Sequence, residues 1–367
     1  MYRKIMGFLE AWKESKHRKP LILQGARQVG KTYSILEFGR THYENVAYFN
    51  FETNPKLNET FEENISPDYL IPILSHIAGQ TIVKEKTLMV FDEVQLCERA
   101  LTSLKYFCEN APDYHIIVAG SLLGVAVNRA KFSFPVGKVD MKTLYPMDME
   151  EFMLALGEDD LVKQIKKCFQ TDTPLPSALH DAAMQLYRQY LVVGGMPECV
   201  MQFAGTKDYI LVRHTQDTIL ASYLNDMSKY NTLNEIKKTR LAYDNITVQL
   251  SKKNTRFQYK LIKKGGRASE FENAIEWLCL SGIVSQVYKV EQIKKPLENY
   301  RDIDAFKIYV SDLGLLCAKK DLAANDILYM VEEINDFKGG MTENYVNVQL
   351  SINGYHTYYW ELSLIHI

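Results

Sequence analysis

The sequence contains no CxxC pair and no HExxH segment, and its six cysteines (Cys97, Cys108, Cys168, Cys199, Cys279, Cys317) stand far apart. Neither zinc-ligand spacing nor a disulfide framework is legible in such a pattern. No run reaches the roughly 18 apolar residues of a membrane helix. Met1 to Pro20 is basic and amphipathic around Phe8 and Trp12, but has no apolar centre of the kind a signal peptide carries. Net charge is also lacking: 43 basic residues against 45 acidic ones leave −2. Affinity for nucleic acid would therefore need a local patch. Internal repeats and low-complexity tracts are absent too. The expectation is a soluble, cytoplasmic protein with reduced thiols and no membrane partner. Its 367 residues, nearly half of them apolar, exceed one ordinary core.

What the chain does have, between Leu21 and about Pro146, is an alternation of short apolar runs with helical stretches, as a parallel α/β sheet requires. The runs are Leu21–Gln24, Val46–Phe51, Thr87–Phe91, His115–Ala119 and Val139–Leu144. Leu88–Phe91 and Ile116–Ala119 are apolar throughout, which suits strands covered on both faces. After Pro146 the pattern turns helical over Met147–Leu156, Leu161–Phe169, Ser177–Leu191 and Lys207–Tyr230, with Gln170–Pro176 as a loop. From about Asn231 to Ala318, helices at Glu235–Leu250 and Ser269–Ser281 precede strand-like Ile283–Val290 and Phe306–Val310, the plan of a winged helix. A helix at Thr342–Ile352 and a strand at Tyr355–Trp360 read as a further domain that begins and is not completed.

Gly25-Ala26-Arg27-Gln28-Val29-Gly30-Lys31-Thr32 fits GxxxxGK[ST] directly after the first apolar run and before the helical stretch that opens at Tyr33. That context is what a phosphate-binding P-loop needs. The glycines let successive N–H groups converge on phosphate oxygens, and the helix directs its positive end at the same charge. Lys31 supplies a cation for the β- and γ-phosphates. The Thr32 hydroxyl can ligate Mg²⁺. The other reading is a chance glycine-rich turn.

Thr87–Phe91 ends in Asp92-Glu93, where a Walker B segment belongs, and ligands of open α/β sheets gather at the carboxyl ends of strands. Asp92 would then hold magnesium with Thr32, while Glu93 polarises the water that attacks the γ-phosphate. Alone, the two acids equally suit a solvated strand end. Ser121, after the fourth run, fits either a polar sensor between the two motifs or a helix cap. Gly120–Gly124 fails GxSxG, so a hydrolase elbow is not supported. Arg27, Arg99 and Arg129 are the arginines near enough in sequence to serve the γ-phosphate, each equally readable as a surface residue. A guanine-reading NKxD segment is absent.

These residues resemble the prokaryotic AAA-type ATPases that carry a C-terminal DUF4143-type domain with a restriction-endonuclease-like fold. The resemblance rests on Pro20–Thr32, Met89–Gln95, Gly120–Ala126, Phe132–Pro146, Tyr190–Pro197 and Ile308–Leu315, in order over most of the chain. It implies an α/β fold: a P-loop NTPase domain over 1–147 whose parallel sheet has an additional strand, and a helical lid over 148–230. A winged-helix-like domain over 231–320 and the start of a nuclease-like α/β domain over 321–367 would follow. It implies ATP and Mg as cofactors, with Gly25 through Tyr33 at the nucleotide. It also implies a nucleotide-sensing role for Pro197 in the turn Gly195-Met196-Pro197, which otherwise reads as a helix terminator. Within the nuclease-like part Glu343 matches an early helix glutamate, yet the acid and E-x-K pair that should follow are missing. The ending Leu362–Ile367 resembles translated sequencing-adapter DNA, which implies a truncated reading frame with a non-native tail.

One segment departs from the neutral charge. Ser251–Arg267 carries Lys252, Lys253, Arg256, Lys260, Lys263, Lys264 and Arg267 and no acid, with Phe257 and Tyr259 interleaved. It reads either as a duplex-DNA docking patch or as a solvated, partner-binding face. Glu270, Glu272 and Glu276 on the following helix weigh against DNA, because they would face phosphates.

Overall fold

The computed structural model describes residues 1–120, 135, 137–229, 232–250 and 256–361. Two compact units emerge: Arg3–Tyr145, and Pro146–Ile367 with Met1 and Tyr2. The expectation divided the part after 147 into three domains, whereas here it is one compact unit.

In the first unit α1 (Ile5–Glu14) precedes β1 (Leu21–Gln24), α2 (Lys31–His42) and β2 (Asn45–Asn50). Then come α3 (Lys56–Glu63), α4 (Pro67–Ala78), β3 (Thr87–Asp92), α5 (Glu98–Asn110), β4 (His115–Ala119) and β5 (Asp140–Thr143). The strands form one parallel sheet in the order β2-β3-β4-β1-β5. β3 and β4 are buried at every residue, as the continuous apolar runs require of central strands sandwiched between helices. The rings of Phe49, Phe51, Phe61 and Phe91 pack against one another at steep angles on one face. Burial of such rings contributes about 1.5–3 kcal/mol apiece. β4 lies between β1 and β3, so the strand that leads into the P-loop and the strand that ends in Asp92 are not neighbours. This is the additional strand that the resemblance implied.

The second unit opens with α6 (Met149–Ala155), α7 (Asp159–Gln170) and α8 (Ser177–Val193). The Asp148 side chain accepts the Glu151 N–H at 2.8 Å and Glu151 returns the bond at 3.3 Å, a capping box that starts α6. A helix not foreseen in the sequence follows, α9 (Pro197–Thr206), and the helix expected from Lys207 begins two residues later as α10 (Tyr209–Lys229). Pro197 sits in the first turn of α9, where its fixed φ and missing N–H suit a helix start. The turn thus follows the end of α8, capped at Gly194, as the terminator reading expects, and Pro197 also opens the next helix.

Next stand α11 (Leu233–Leu250), α12 (Tyr259–Ile262), α13 (Ala268–Leu280), β6 (Val284–Val290) and β7 (Arg301–Val310). β6 and β7 pair antiparallel over a longer stretch than expected, since β7 reaches back to Arg301. After α14 (Leu313–Lys319), α15 (Ala324–Leu328) and α16 (Asn335–Ile352) comes β8 (Tyr358–Tyr359), which pairs in parallel with Tyr288 and Lys289 of β6. The segment expected to open a nuclease-like domain is thus the third strand of the β7-β6-β8 sheet. The buried Asn344 of α16 fixes it further, taking the Val310 N–H and donating to the Val310 carbonyl, both at 2.8 Å. Glu343, matched to a metal-binding glutamate, instead pairs with Lys307 of β7. Among the described residues no three His, Cys, Asp or Glu side chains are grouped to hold a metal. The tail 362–367 lies outside the described residues.

Candidate nucleotide site

The phosphate loop is built from backbone constraint first. Gly25 has φ +147°, and a Cβ there would stand 2.1 Å from the Leu144 carbonyl oxygen. Only glycine fits that approach. Gln28 and Gly30 also take positive φ, which turns the chain back on itself before α2 starts at Lys31. The Lys31 side chain is buried and threads the loop, donating from Nζ to the carbonyls of Gly25 and Ala26 at 2.8 Å each. Ala26 and Val29 are buried, Arg27 and Gln28 half-buried, while Tyr33 is 60% exposed.

Arg3 braces the loop from outside the motif. Its buried guanidinium donates from Nη1 to the Val29 carbonyl at 3.0 Å and from Nη2 to the Tyr145 carbonyl at 2.8 Å. Nothing local in the sequence marked it, because its partners lie 26 and 142 residues away.

The second motif meets the first at the carboxyl ends of the strands. Asp92 is buried at the end of β3, and its Oδ2 accepts the Thr32 hydroxyl at 2.9 Å. The same oxygen accepts the Tyr48 hydroxyl at 2.7 Å, and Oδ1 accepts the Glu93 N–H at 3.0 Å. Glu93 takes a left-handed conformation just past the strand and accepts a hydrogen bond from Gln95 Nε2. Tyr48 was not singled out in the sequence, although alternation along β2 puts it on the same face as Asn50, which is registered against Asp92. Burial, together with the neighbouring Asp92, pushes the Tyr48 phenol up to about 12, against a smaller opposing bond from Asn50.

The arginine candidates fare differently. Arg99 donates from Nε to the Phe61 carbonyl at 2.8 Å and pairs with Glu62 at 3.5 Å, so it is committed to the end of α3. Ser121 and Arg129 lie outside the described residues.

Pro197 belongs to the other compact unit. The turn before it is gripped by a residue the sequence left without a role. Buried Asp312, at the start of α14, accepts the Gly195 N–H at 2.6 Å and the Leu315 N–H at 2.8 Å, with Gly314 and Met196 N–H groups also directed at it. A Cβ on Gly194 would stand 2.3 Å from Asp312 Oδ1 and one on Gly314 2.4 Å from the Val193 carbonyl oxygen, so two quoted stretches, Tyr190–Pro197 and Ile308–Leu315, close on each other without room for a side chain. Burial raises the Asp312 carboxyl to about 6 despite these N–H bonds.

In the basic segment, Lys252 and Lys253 lie outside the described residues, and Arg256, Lys260, Lys263, Lys264 and Arg267 are all exposed. The interleaved aromatics are not free to stack on bases. Phe257 is buried against Phe306, and Tyr259 meets both rings edge-on. Lys263 pairs with Glu270 at 3.3 Å, and the exposed side of α13 carries Glu272 and Glu276.

Residues 17–153 match the family model described as an AAA domain, and residues 184–326 match one described as a domain of unknown function (DUF8612). The second is a different family from the DUF4143-type domain that the resemblance implied. None of the curated proteins matches the chain. Among solved structures, the chain is similar to a Walker-type ATPase of Pyrococcus abyssi at 13% identity and TM-score 0.54, over 87% of this chain and 95% of that one. It also matches the Aeropyrum pernix ORC2 protein in its ADPNP and ADP complexes, at 12% identity and TM-score 0.42, over 93% and 95% of the two chains. Thermotoga maritima RuvB, a Holliday junction branch migration motor, matches at 14% and 0.32, over 77% and 87%. The N-terminal unit has an α/β P-loop NTPase fold, and the match to the AAA-domain model covers it from residue 17 onward.

Proposed function

We propose that this chain binds ATP with magnesium and hydrolyses it, acting as a nucleotide-driven switch. The observation that carries the reading is the 2.9 Å bond from Thr32 to Asp92, which joins two motifs 60 residues apart beside the buried Lys31. A buried carboxylate next to a hydroxyl is a hard-oxygen donor set of the kind magnesium takes. Thr32 would hold the ion directly and Asp92 through water. Magnesium, when bound, neutralises charge on the β- and γ-phosphates. The rest of the work falls to the chain. N–H groups of Gly25 through Thr32 cradle the phosphates at the positive end of α2, and Lys31 exchanges its carbonyl partners for phosphate oxygens. Glu93 accepts a proton from the attacking water. The choice of adenine over guanine is supported by the AAA match, with no guanine-reading NKxD segment to oppose it.

The switch reading assigns the sensing of nucleotide state to the turn at Pro197, and movement to the helices and winged-helix-like hairpin of the second unit. Nucleotide titration of Lys31→Ala tests the foundation. Binding should be abolished, and a normal titration overturns the P-loop assignment.

A second reading, a DNA-binding regulator with ATP as a structural ligand, is favoured by the exposure of Arg256, Lys260, Lys263, Lys264 and Arg267. The acidic exposed side of α13 opposes it. Duplex binding measured across a salt series separates the two, because phosphate contacts weaken steeply with salt. An absence of salt-dependent binding leaves the patch as surface.

A further inference from the structure

The carboxylate that ends β3 is held by three donors, and one of them belongs to neither nucleotide motif. Oδ1 of Asp92 takes the Glu93 N–H, and Oδ2 takes both the Thr32 and the Tyr48 hydroxyls. Tyr48 stands on β2, the strand directly beside β3, two residues before Asn50.

The direction of the Tyr48 proton is dictated by its neighbours. Asn50 Oδ1 is engaged by the N–H groups of Glu52 and Thr53 at 2.9 and 3.0 Å, so the Asn50 amide nitrogen must face the other way. That nitrogen donates to the Tyr48 oxygen at 3.2 Å. A phenol has one proton, and with its oxygen already accepting from Asn50, the proton goes to Asp92. The relay Asn50 to Tyr48 to Asp92 therefore runs in one sense. A phenol keeps its proton at neutral pH.

Thr32 is affected in turn. Its own proton is committed to Oδ2 of Asp92, which turns the lone pairs of its oxygen away from the carboxylate. A hydroxyl oriented in that way presents oxygen, not hydrogen, to a cation. Any rotation of the Asp92 carboxylate would release the Thr32 proton and lose that orientation. Tyr48 and the Glu93 N–H, on the two different oxygens, block that rotation.

We propose that Tyr48 is a positioning residue for divalent metal: by locking the Asp92 carboxylate through a one-way relay from Asn50, it presets the Thr32 hydroxyl as a metal ligand. The inference rests on the ATP and magnesium reading above, and it assigns the metal's affinity, rather than the nucleotide's, to a residue outside both motifs.

The test compares wild type with Tyr48→Phe in two binding measurements, neither of which needs turnover. ADP affinity is measured in EDTA, and Mn²⁺ affinity is measured by electron paramagnetic resonance in saturating ADP. Tyr48→Phe should bind ADP in EDTA within twofold of wild type and bind Mn²⁺ about tenfold more weakly, the scale of one lost hydrogen bond to a charged group. Asn50→Ala keeps the phenol but frees its proton, so it should weaken Mn²⁺ in the same direction by about threefold. A purely structural role would lower the two affinities together. Equal losses of that kind, or an Mn²⁺ affinity within twofold of wild type in both variants, overturn the inference while leaving the ATP reading intact. Failure of the wild-type protein itself to bind ADP overturns that reading and the inference with it.

Discussion

Both units bury charged or hydrogen-bonding side chains, but they commit them to different tasks. In Arg3–Tyr145 the buried Lys31 and Asp92 lie where strands end and loops take positive φ: Lys31 holds two carbonyls of its own loop, and Asp92 accepts the Thr32 hydroxyl from that loop. In Pro146–Glu361 the buried polar groups are spent on the fold itself: Asp312 holds the Gly195 turn, Asn344 pairs with both backbone groups of Val310, and Gln216 donates to the carbonyls of Val192 and Val193 at 2.8 and 3.1 Å. A buried polar group locked between elements of the fold serves shape. One at the carboxyl ends of the strands, as Lys31 and Asp92 are, can exchange its present partners for a ligand. The difference separates residues whose loss should cost chemistry from those whose loss should cost stability.

The sharpest way to break the comparison is Glu93→Gln, which should cut ATP turnover by roughly a hundredfold or more while nucleotide affinity stays near wild type. Unchanged turnover in a steady-state assay removes Glu93 from the chemistry. Next in size is Asp312→Ala. It strips the acceptor from the Gly195 and Leu315 N–H groups, and urea unfolding should register a loss of about 3 kcal/mol in the second unit. A shift below about 1 kcal/mol would mean that water replaces the carboxylate. Gly25→Ala should weaken nucleotide binding at least tenfold in a calorimetric titration, because a methyl group cannot occupy the 2.1 Å approach to Leu144. Wild-type affinity in that variant would show that the loop can shift.

The smallest expected effect is a pair of opposed pH slopes. Asp312 is raised from 3.8 to about 6 by burial, so its contribution to stability is complete below 3.8 and lost as pH rises through about 6. The loss is at most about 3 kcal/mol for a shift of this size. His115, in β4, is lowered from 6.5 to about 4, first by burial and then by Arg18 and Lys13. Its Nδ1 lies 2.7 Å from the Tyr43 hydroxyl. Its contribution is complete above 6.5 and lost as pH falls through about 4. Thermal unfolding between pH 4 and 6 should therefore show the two units moving in opposite directions. Asp312→Asn should flatten only the slope of the second.

The candidate site was legible because its residues are contiguous: eight spell the loop, and an apolar run ending in two acids spells the segment that the structure brings against it. Arg3 and Tyr48 were not, since each acts on a partner brought close only by the sheet. The same limit hid Asp312, whose partner Gly195 lies 117 residues away. Within Ile308–Leu315 nothing local marked it. The start of α9 was missed for a local reason, because proline both ends helices and opens them. Tyr355–Trp360 was read as a strand, but only Tyr358 and Tyr359 pair, and their partner strand could not be named from sequence. β6 offered its open edge to them, which folds the last described segment into the sheet before it.

The strand β4 between β1 and β3 acts as a gauge block. Its width sets the spacing between the end of β1, from which the loop springs, and the end of β3, which carries Asp92, at two interstrand steps, roughly 10 Å, a span the loop crosses to bring Thr32 to the carboxylate. The jaw of the site is thus machined by a residue-blind quantity, the hydrogen-bonding pitch of the backbone. Side chains on either jaw can be exchanged without changing the opening. A bulge in β4, which need touch no nucleotide-facing residue, would change it.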